Sequence, residues 1–205
     1  MDEEETRMSN SQITRRALAH SLKELMQHVP LNKITVNALT RHCGVNRQTF
    51  YYHYHDIYEL LGWIYQTEAL ESIQPYPSSQ TWKEAIYNIF DYIESNKQFC
   101  LNTLNSLARS HLDSYLYAVT HKFIIGVVQE LSAGMHVREE DKEFLANFYT
   151  LAFTGLVIQW LQNGMTAKPK ELIGKLNELI QGNFTEALRR YEHLSLREGN
   201  TSYTK

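Results

Sequence analysis

An all-α fold is predicted for this chain of 205 residues, on three observations. Apolar residues recur near a period of 3.6 along most of its length, and nowhere alternate with polar ones as a strand requires. Nine Gly and four Pro supply few of the tight turns that a β-rich chain needs. Capping residues and Gly or Pro breakers fall where the periodic runs start and stop. With 43% apolar and 21% charged residues the chain can bury a core. The predicted architecture is an N-terminal three-helix unit containing a helix-turn-helix, followed by a larger helical bundle, about nine helices in all.

The elements follow in order. Residues 9–29 carry Ile13, Ala17, Leu18, Leu22, Leu25, Met26 and Val29 at helical spacing, with Ser9 or Ser11 as cap and Pro30 just past the end. After the short link Asn32-Lys33, Thr35 caps a helix from Val36 to Cys43, and Gly44 sits where a left-handed residue would end it. Asn46 caps a third, short helix reaching about Tyr52. Asp56 and Glu59 have capping-box spacing and open a helix to about Gln74. Pro75, Pro77, Ser78 and Ser79 form the clearest break in the chain. Thr81 and Glu84 make a second box before a helix to about Ser95, and a shorter helix runs from Lys97 to Leu107. Ser110 and Asp113 open a long helix that stops near Gly134. Another spans about Arg138 to Asn163 and ends at Gly164. Pro169 lies in the first turn of a last helix reaching about Glu192, beyond which residues 195–205 read as frayed.

Charge is distributed unevenly. The formal net charge is -3, yet residues 7–55 hold seven bases against one acid, while residues 56–205 hold thirteen bases against eighteen acids. Five of the nine histidines also fall in the basic block. A basic head on an acidic body points to an anionic partner for the head. The two cysteines, Cys43 and Cys100, cannot form a disulfide framework or a four-cysteine zinc site and read as reduced thiols. Residues 2–5 are acidic where a secretory leader would be basic, and the longest apolar stretch, Leu151–Leu161, is short of the ~20 residues of a membrane span. The expectation is a cytoplasmic protein without membrane contact, and the sequons at Asn183 and Asn200 then carry no meaning for glycosylation.

The helix-turn-helix holds the chemistry. Val36, Leu39, Cys43, Val45, Phe50 and Tyr54 can close a small core against Leu18, Leu22 and Leu25. That leaves Arg47, Gln48, Thr49, Tyr51, Tyr52 and His53 on the third helix, all hydrogen-bond donors and none acidic. A helix of about 12 Å diameter fits a DNA major groove, and its N-terminal N–H groups favour phosphate. Arg47 and Gln48 have the geometry to read guanine and adenine edges, whereas Thr49, Tyr51 and His53 suit phosphates. The candidate DNA contacts are Thr35, Asn46, Arg47, Gln48, Thr49, Tyr51, Tyr52, His53 and His55. The competing reading makes the tyrosines core aromatics. It holds for Tyr54, at i+4 from Phe50, and stays open for Tyr51 and Tyr52.

Residues 11–61, about a quarter of the chain, resemble the N-terminal domain of the TetR/AcrR family of transcription regulators. Thr35, Val36, Leu39, Gly44, Val45, Asn46, Thr49, Phe50, Tyr51, His53, Tyr54, Asp56 and Leu60 match the family's pattern. Two positions depart from it. Ile57 stands where many members carry a phosphate-binding Lys, and Gln48 stands where Gly or Ala is frequent. Residues 47–53 and 56–61 are similar to the DhaS-like subgroup, the regulators of dihydroxyacetone kinase. The resemblance implies a domain of DNA contact over 1–55 and a domain of effector binding and dimerisation over 56–205, with 56–74 as the connecting helix.

It further implies a homodimer, built by the last two helices, on a palindromic DNA site. The helix over 138–164 is apolar nearly all round, so more than one face needs cover, and Gly155 would admit a close neighbour. The candidate interface is Leu156, Trp160, Leu172, Leu176, Leu179, Ile180, Phe184 and Leu188, although a monomer with a thick core explains the same pattern. The family places an effector pocket in the body, for which Trp63, Tyr87, Phe90, Tyr115, Phe123, Phe148 and Trp160 are candidates, although such aromatics also serve as plain core. In the DhaS-like subgroup the effector is implied to be a protein, and the sequence does not choose between protein and small molecule.

No dinucleotide fingerprint, P-loop, zinc-protease motif or nucleophile elbow occurs, and His20, Cys43 and Cys100 make no metal-ligand spacing. The expectation is a regulator without catalytic residues, metal or cofactor. The rival from another class is a protein-interaction module whose helix-turn-helix is vestigial.

Overall fold

A computed structural model describes residues 3–72, 81–180 and 182–201, with side chains over 10–68, 81–180 and 182–196. The described residues are helical with no strand, as predicted. Ten α-helices form: α1 (Glu3–Leu25), α2 (Val36–Cys43), α3 (Arg47–His53), α4 (Ile57–Ser72), α5 (Trp82–Ser95), α6 (Lys97–Leu104), α7 (Arg109–Leu131), α8 (Glu139–Gln162), α9 (Pro169–Ile180) and α10 (Asn183–Thr201), with a 3₁₀ turn at Leu31–Lys33.

Several boundaries differ from the sequence reading. The first helix begins at Glu3, so Ser9 and Ser11 lie within it rather than at its start, and it gives way to turns after Leu25. The predicted last helix is two, because Gly182 takes φ +79° and reverses the local backbone hand. Helical structure then runs on to Thr201, through residues read as frayed. The helices at Lys97 and Ser110 shift as well: α6 stops at Leu104, and α7 starts at Arg109, so Ser110 is internal rather than a cap. Ser106 takes over at that junction, accepting from the Ala108 N–H at 3.1 Å and donating to the Thr103 carbonyl at 2.8 Å. The Pro75–Ser79 break lies outside the described residues.

The chain packs as two compact units. One comprises Met1–Glu68 with Asn96–Tyr115, the other Ala69–Ser95 with Leu116–Lys205. In the first, Leu18, Leu22, Met26, Leu39, Phe50, Leu60 and Leu61 are fully buried. Burying each such side chain contributes about 1.5–3 kcal/mol relative to exposure. The predicted partners Val36, Cys43, Val45 and Leu25 are only half-buried. Asn102 on α6 holds the end of α1: its Oδ1 accepts from the Leu31 N–H at 2.8 Å, and its Nδ2 donates to the carbonyls of Met26 and Val29 at 3.1 and 2.7 Å. Lys23 and Glu68 pair at 2.7 Å between α1 and α4.

In the second unit α8 buries Leu145, Phe153, Val157 and Leu161 on one side and exposes Phe144, Phe148, Leu151 and Leu156 on the other. By length and composition alone α8 is apolar enough to cross a membrane, with a mean hydropathy of 1.4 over its best window. That corrects the reading from Leu151–Leu161, a stretch of eleven residues broken by Thr154 and Gln159, which overlooks how few charges lie past the first turn. Core helices give the same signal, and 44% of that window is buried inside the protein.

Candidate nucleic-acid interface

The turn that presents α3 is fixed by three local devices. Thr35 Oγ1 accepts from the Ala38 N–H at 3.1 Å and starts α2. Gly44, at φ +74°, ends α2, and the Val45 N–H then reaches the Thr40 carbonyl at 3.0 Å. Asn46 starts α3, its Oδ1 accepting from both the Thr49 N–H at 2.7 Å and the Thr49 hydroxyl at 3.0 Å. Asp56 caps α4 through the Glu59 N–H at 2.8 Å, while Glu59 reaches back to the His55 N–H at 2.5 Å, one residue beyond the usual capping-box partner.

These bonds sort the candidate DNA contacts. Arg47 and Gln48 are exposed at the start of α3, as are Thr35 and Asn46 beside them. Tyr52 is 74% exposed and Tyr51 48%, so neither is a core aromatic. Tyr54 is, at 4%. Phe50 beneath them anchors the helix, edge-on to Tyr51 at 5.5 Å and tilted against Tyr54 at 5.9 Å. Arg47 Nη2 donates to the Tyr51 hydroxyl at 3.3 Å and its guanidinium lies 5.7 Å from that ring, an i,i+4 pair that restrains Arg47 at the helix start. Thr49 is half-buried and commits its hydroxyl proton to Asn46. Its role here is in the cap. Asn46 Oδ1 is likewise occupied, which leaves its Nδ2 as the outward group. His55 is exposed, whereas His53 is half-buried, edge-on to Tyr52 at 4.9 Å. Burial, and then the nearby Arg15 charge, hold the His53 imidazole below its ordinary pKa, so the neutral ring is favoured.

The sequence reading missed Arg15. Its guanidinium lies 5.9 Å from the Tyr54 ring, and its Nε is buried without a hydrogen-bond partner in the protein. Its position in the basic block was the only available signal. Ile57, the family's frequent Lys position, is buried at 7% exposure, so this chain has no cation there to offer a phosphate.

The candidate effector residues do not come together. Trp63 and Tyr115 pack in the first unit, Trp63 edge-on to Tyr54 at 6.1 Å and Tyr115 against Tyr65 at 5.3 Å. Phe90 and Trp160 form a T-shaped core pair at 4.7 Å beside a cleft of about 260 Å³. Tyr87 is half-buried on α5. Phe123 and Phe148 do line a larger cavity of about 450 Å³ among α5, α7, α8, α9 and α10. Among the candidate interface residues, Trp160 and Leu188 are buried within the chain, at 4% and 0% exposure, and the Trp160 indole N–H is satisfied by the Ala167 carbonyl at 2.8 Å. Leu156 and Leu179 are exposed, and Leu172, Leu176, Ile180 and Phe184 are half-buried. Phe144 and Leu151 are exposed on α8 with Phe148 and were not among the candidates, because all-round apolarity gives no hint of which face is covered.

Residues 80–182, half of the chain, match the family model of a TetR-type transcriptional regulator C-terminal region. This chain belongs to the TetR family of transcriptional regulators. Within that family it is similar to DhaS-type regulators. It is 22% identical over 159 residues to the HTH-type dhaKLM operon transcriptional activator DhaS of Lactococcus lactis, covering 77% of this chain and 84% of that one. The solved structure of a dihydroxyacetone kinase operon activator DhaS superposes with a TM-score of 0.68 at 20% identity, covering 84% of this chain and 96% of the other, and supports the TetR-like fold. NalD, the secondary repressor of the MexAB-OprM multidrug efflux pump in Pseudomonas aeruginosa, gives a TM-score of 0.45 at 16% identity, over 84% of this chain and 95% of its own.

Proposed function

We propose that this regulator binds DNA in the cytoplasm as a homodimer on a palindromic operator, and that an effector acting on its C-terminal body controls it. The observation that carries the reading is the exposed face of α3. Arg47, Gln48, Tyr51 and Tyr52 stand out from a helix whose start is capped by Asn46 and which bears no acid. Arg47 and Gln48 read base edges, and the N-terminal N–H groups of α3 with Tyr52 and His55 face the phosphates. The exposed side of α8, with Phe144, Phe148, Leu151 and Leu156, supports pairing with a second copy. A two-fold dimer would set two α3 helices about one helical turn of DNA apart, roughly 34 Å.

The test is selection of binding sites from random duplex, followed by gel shift across a salt series. An enriched palindrome bound less tightly as salt rises supports the reading. No enrichment at low salt supports an interaction module with a vestigial helix-turn-helix. Arg47→Ala should cost about 1–3 kcal/mol of binding and relax one base position, whereas an equal loss on all sequences makes Arg47 a phosphate contact.

A further inference from the structure

We infer that Asn102, on α6, is a positioning residue for the helix-turn-helix: it locks the link that carries α2 and α3, so the register in which α3 meets DNA is set by a side chain more than seventy residues further along the chain. This rests on the DNA-binding reading above and adds a second chain segment to the site. α6 belongs to the same compact unit as α1, α2 and α3, since Asn96–Tyr115 packs with Met1–Glu68. α4 anchors it there. The Tyr65 hydroxyl donates to Thr103 Oγ1 at 3.1 Å, and Thr103 donates in turn to the Phe99 carbonyl at 3.0 Å. Tyr65, Phe99 and Thr103 are at most 2% exposed. Asn102 precedes Thr103, so its amide projects from a helix whose place is fixed.

The link between α1 and α2 needs such a holder. Pro30 has no N–H to give, and the 3₁₀ turn engages the Pro30 and Leu31 carbonyls with the N–H groups of Lys33 and Ile34, at 2.9 and 3.1 Å. Asn102 takes other groups of the link: both Nδ2 protons go to the carbonyls of Met26 and Val29, and Oδ1 accepts from the Leu31 N–H. Only a carboxamide offers that combination of donors and acceptor on one short planar head. Leu31 and Ile34, at 2% and 7% exposure, pin the turn to the core. The next residue, Thr35, caps α2 through the Ala38 N–H, and α2 leads through Gly44 to Asn46 and α3. A shift at Leu31 is therefore passed to α2 rather than absorbed in a loose loop. The rival reading is that Asn102 only stabilises the fold. DNA separates the two, because phosphate attraction tolerates a displaced helix and base readout does not.

The full-length parent, Asn102→Ser and Asn102→Asp are compared by fluorescence anisotropy on the selected palindrome and on random duplex of the same length. Asn102 is half-buried, so water can satisfy the three backbone groups in Asn102→Ser and the fold should stand. Its palindrome affinity should fall by roughly tenfold, with random-duplex affinity and helical circular dichroism unchanged. Asn102→Asp adds a pH signature. Its carboxylate keeps an acceptor for the Leu31 N–H but turns its other oxygen on the Met26 and Val29 carbonyls. That disfavours the ionised form and raises the carboxyl pKa, so the penalty is full above that pKa and is relieved below it, where the O–H can donate. Its palindrome affinity should approach the parent's as the pH falls from about 7.5 to about 5.5, whereas Asn102→Ser should keep a constant ratio to the parent. In the free protein the Ala38 amide should exchange hydrogen at least roughly fivefold faster in Asn102→Ser, with the α10 amides unchanged. Variants that keep the parent's ratio of palindrome to random affinity overturn the inference. So do equal losses on both duplexes with a lower melting temperature, loss of the fold in Asn102→Ser, or unchanged Ala38 exchange. A parent that selects no palindrome removes the DNA-binding reading instead, and Ala38 exchange then still decides whether Asn102 holds α2.

Discussion

Replacing Asn46 by Asp should separate folding from DNA binding. Asn46 Oδ1 accepts two bonds from Thr49, at 2.7 and 3.0 Å, and an Asp carboxylate can accept both. Asn and Asp are equivalent caps, and a negative charge at a helix start gains about 0.3–1 kcal/mol from the aligned N–H groups. Asn46→Asp should therefore melt at or slightly above the parent temperature. Asn46→Ala loses the cap, at about 1 kcal/mol, or roughly 2–4 °C for a chain of this length. On DNA the order reverses. The new carboxylate lies on the end of α3 that the proposal sets against the backbone. One phosphate at ~6.5 Å repels it by about 0.6 kcal/mol even at the dielectric constant of water. Two flanking phosphates give about 1.3 kcal/mol, roughly tenfold in affinity, and more where the groove excludes solvent. The assays are thermal melting and fluorescence anisotropy on the selected palindrome at low salt, where screening is weak. An Asn46→Asp protein that folds as well as the parent and binds as tightly would show that the start of α3 does not face phosphates.

Three further outcomes follow from burial and exposure. His53 is held below its ordinary pKa by burial and by Arg15, so its contribution to stability is full above pH ~6.5 and is lost as the pH falls below that value. Melting between pH 5 and 7.5 should show a shallower acid loss in His53→Gln than in the parent, and parallel curves would refute the assignment. Leu151, 57% exposed on α8, should tolerate Asp with little change in unfolding yet lose the dimer in sedimentation at micromolar concentration, and a persisting dimer would move the interface elsewhere. Burial raises the Cys100 thiol to about 12, whereas Cys43 is half-buried, so alkylation at pH 8 should label Cys43 alone until denaturant is added. Labelling of Cys100 in the folded protein would contradict its place in the core.

The amino-acid sequence on its own determined the helical class, the turn at Gly44 and the caps at Thr35, Asn46 and Asp56, because each depends on side chains within four residues of the backbone they satisfy. It also placed Arg47 and Gln48 on the outward side of a seven-residue helix anchored by Phe50, whereas the exposure of Tyr51 and Tyr52, which the sequence left open, and the partial burial of Thr49 and His53 came from the tertiary structure. Tertiary structure alone decided which face of α8 is core and which is left open, because periodicity cannot choose between sides that are all apolar. It decided that Trp160 and Leu188 face inward, and that Trp63 packs against Tyr54 and Tyr115 against Tyr65, because burial depends on helices distant in the chain. Asn102 shows the same limit: a polar residue on a short helix satisfies three backbone groups more than seventy residues earlier, and no local pattern encodes a bond of that span.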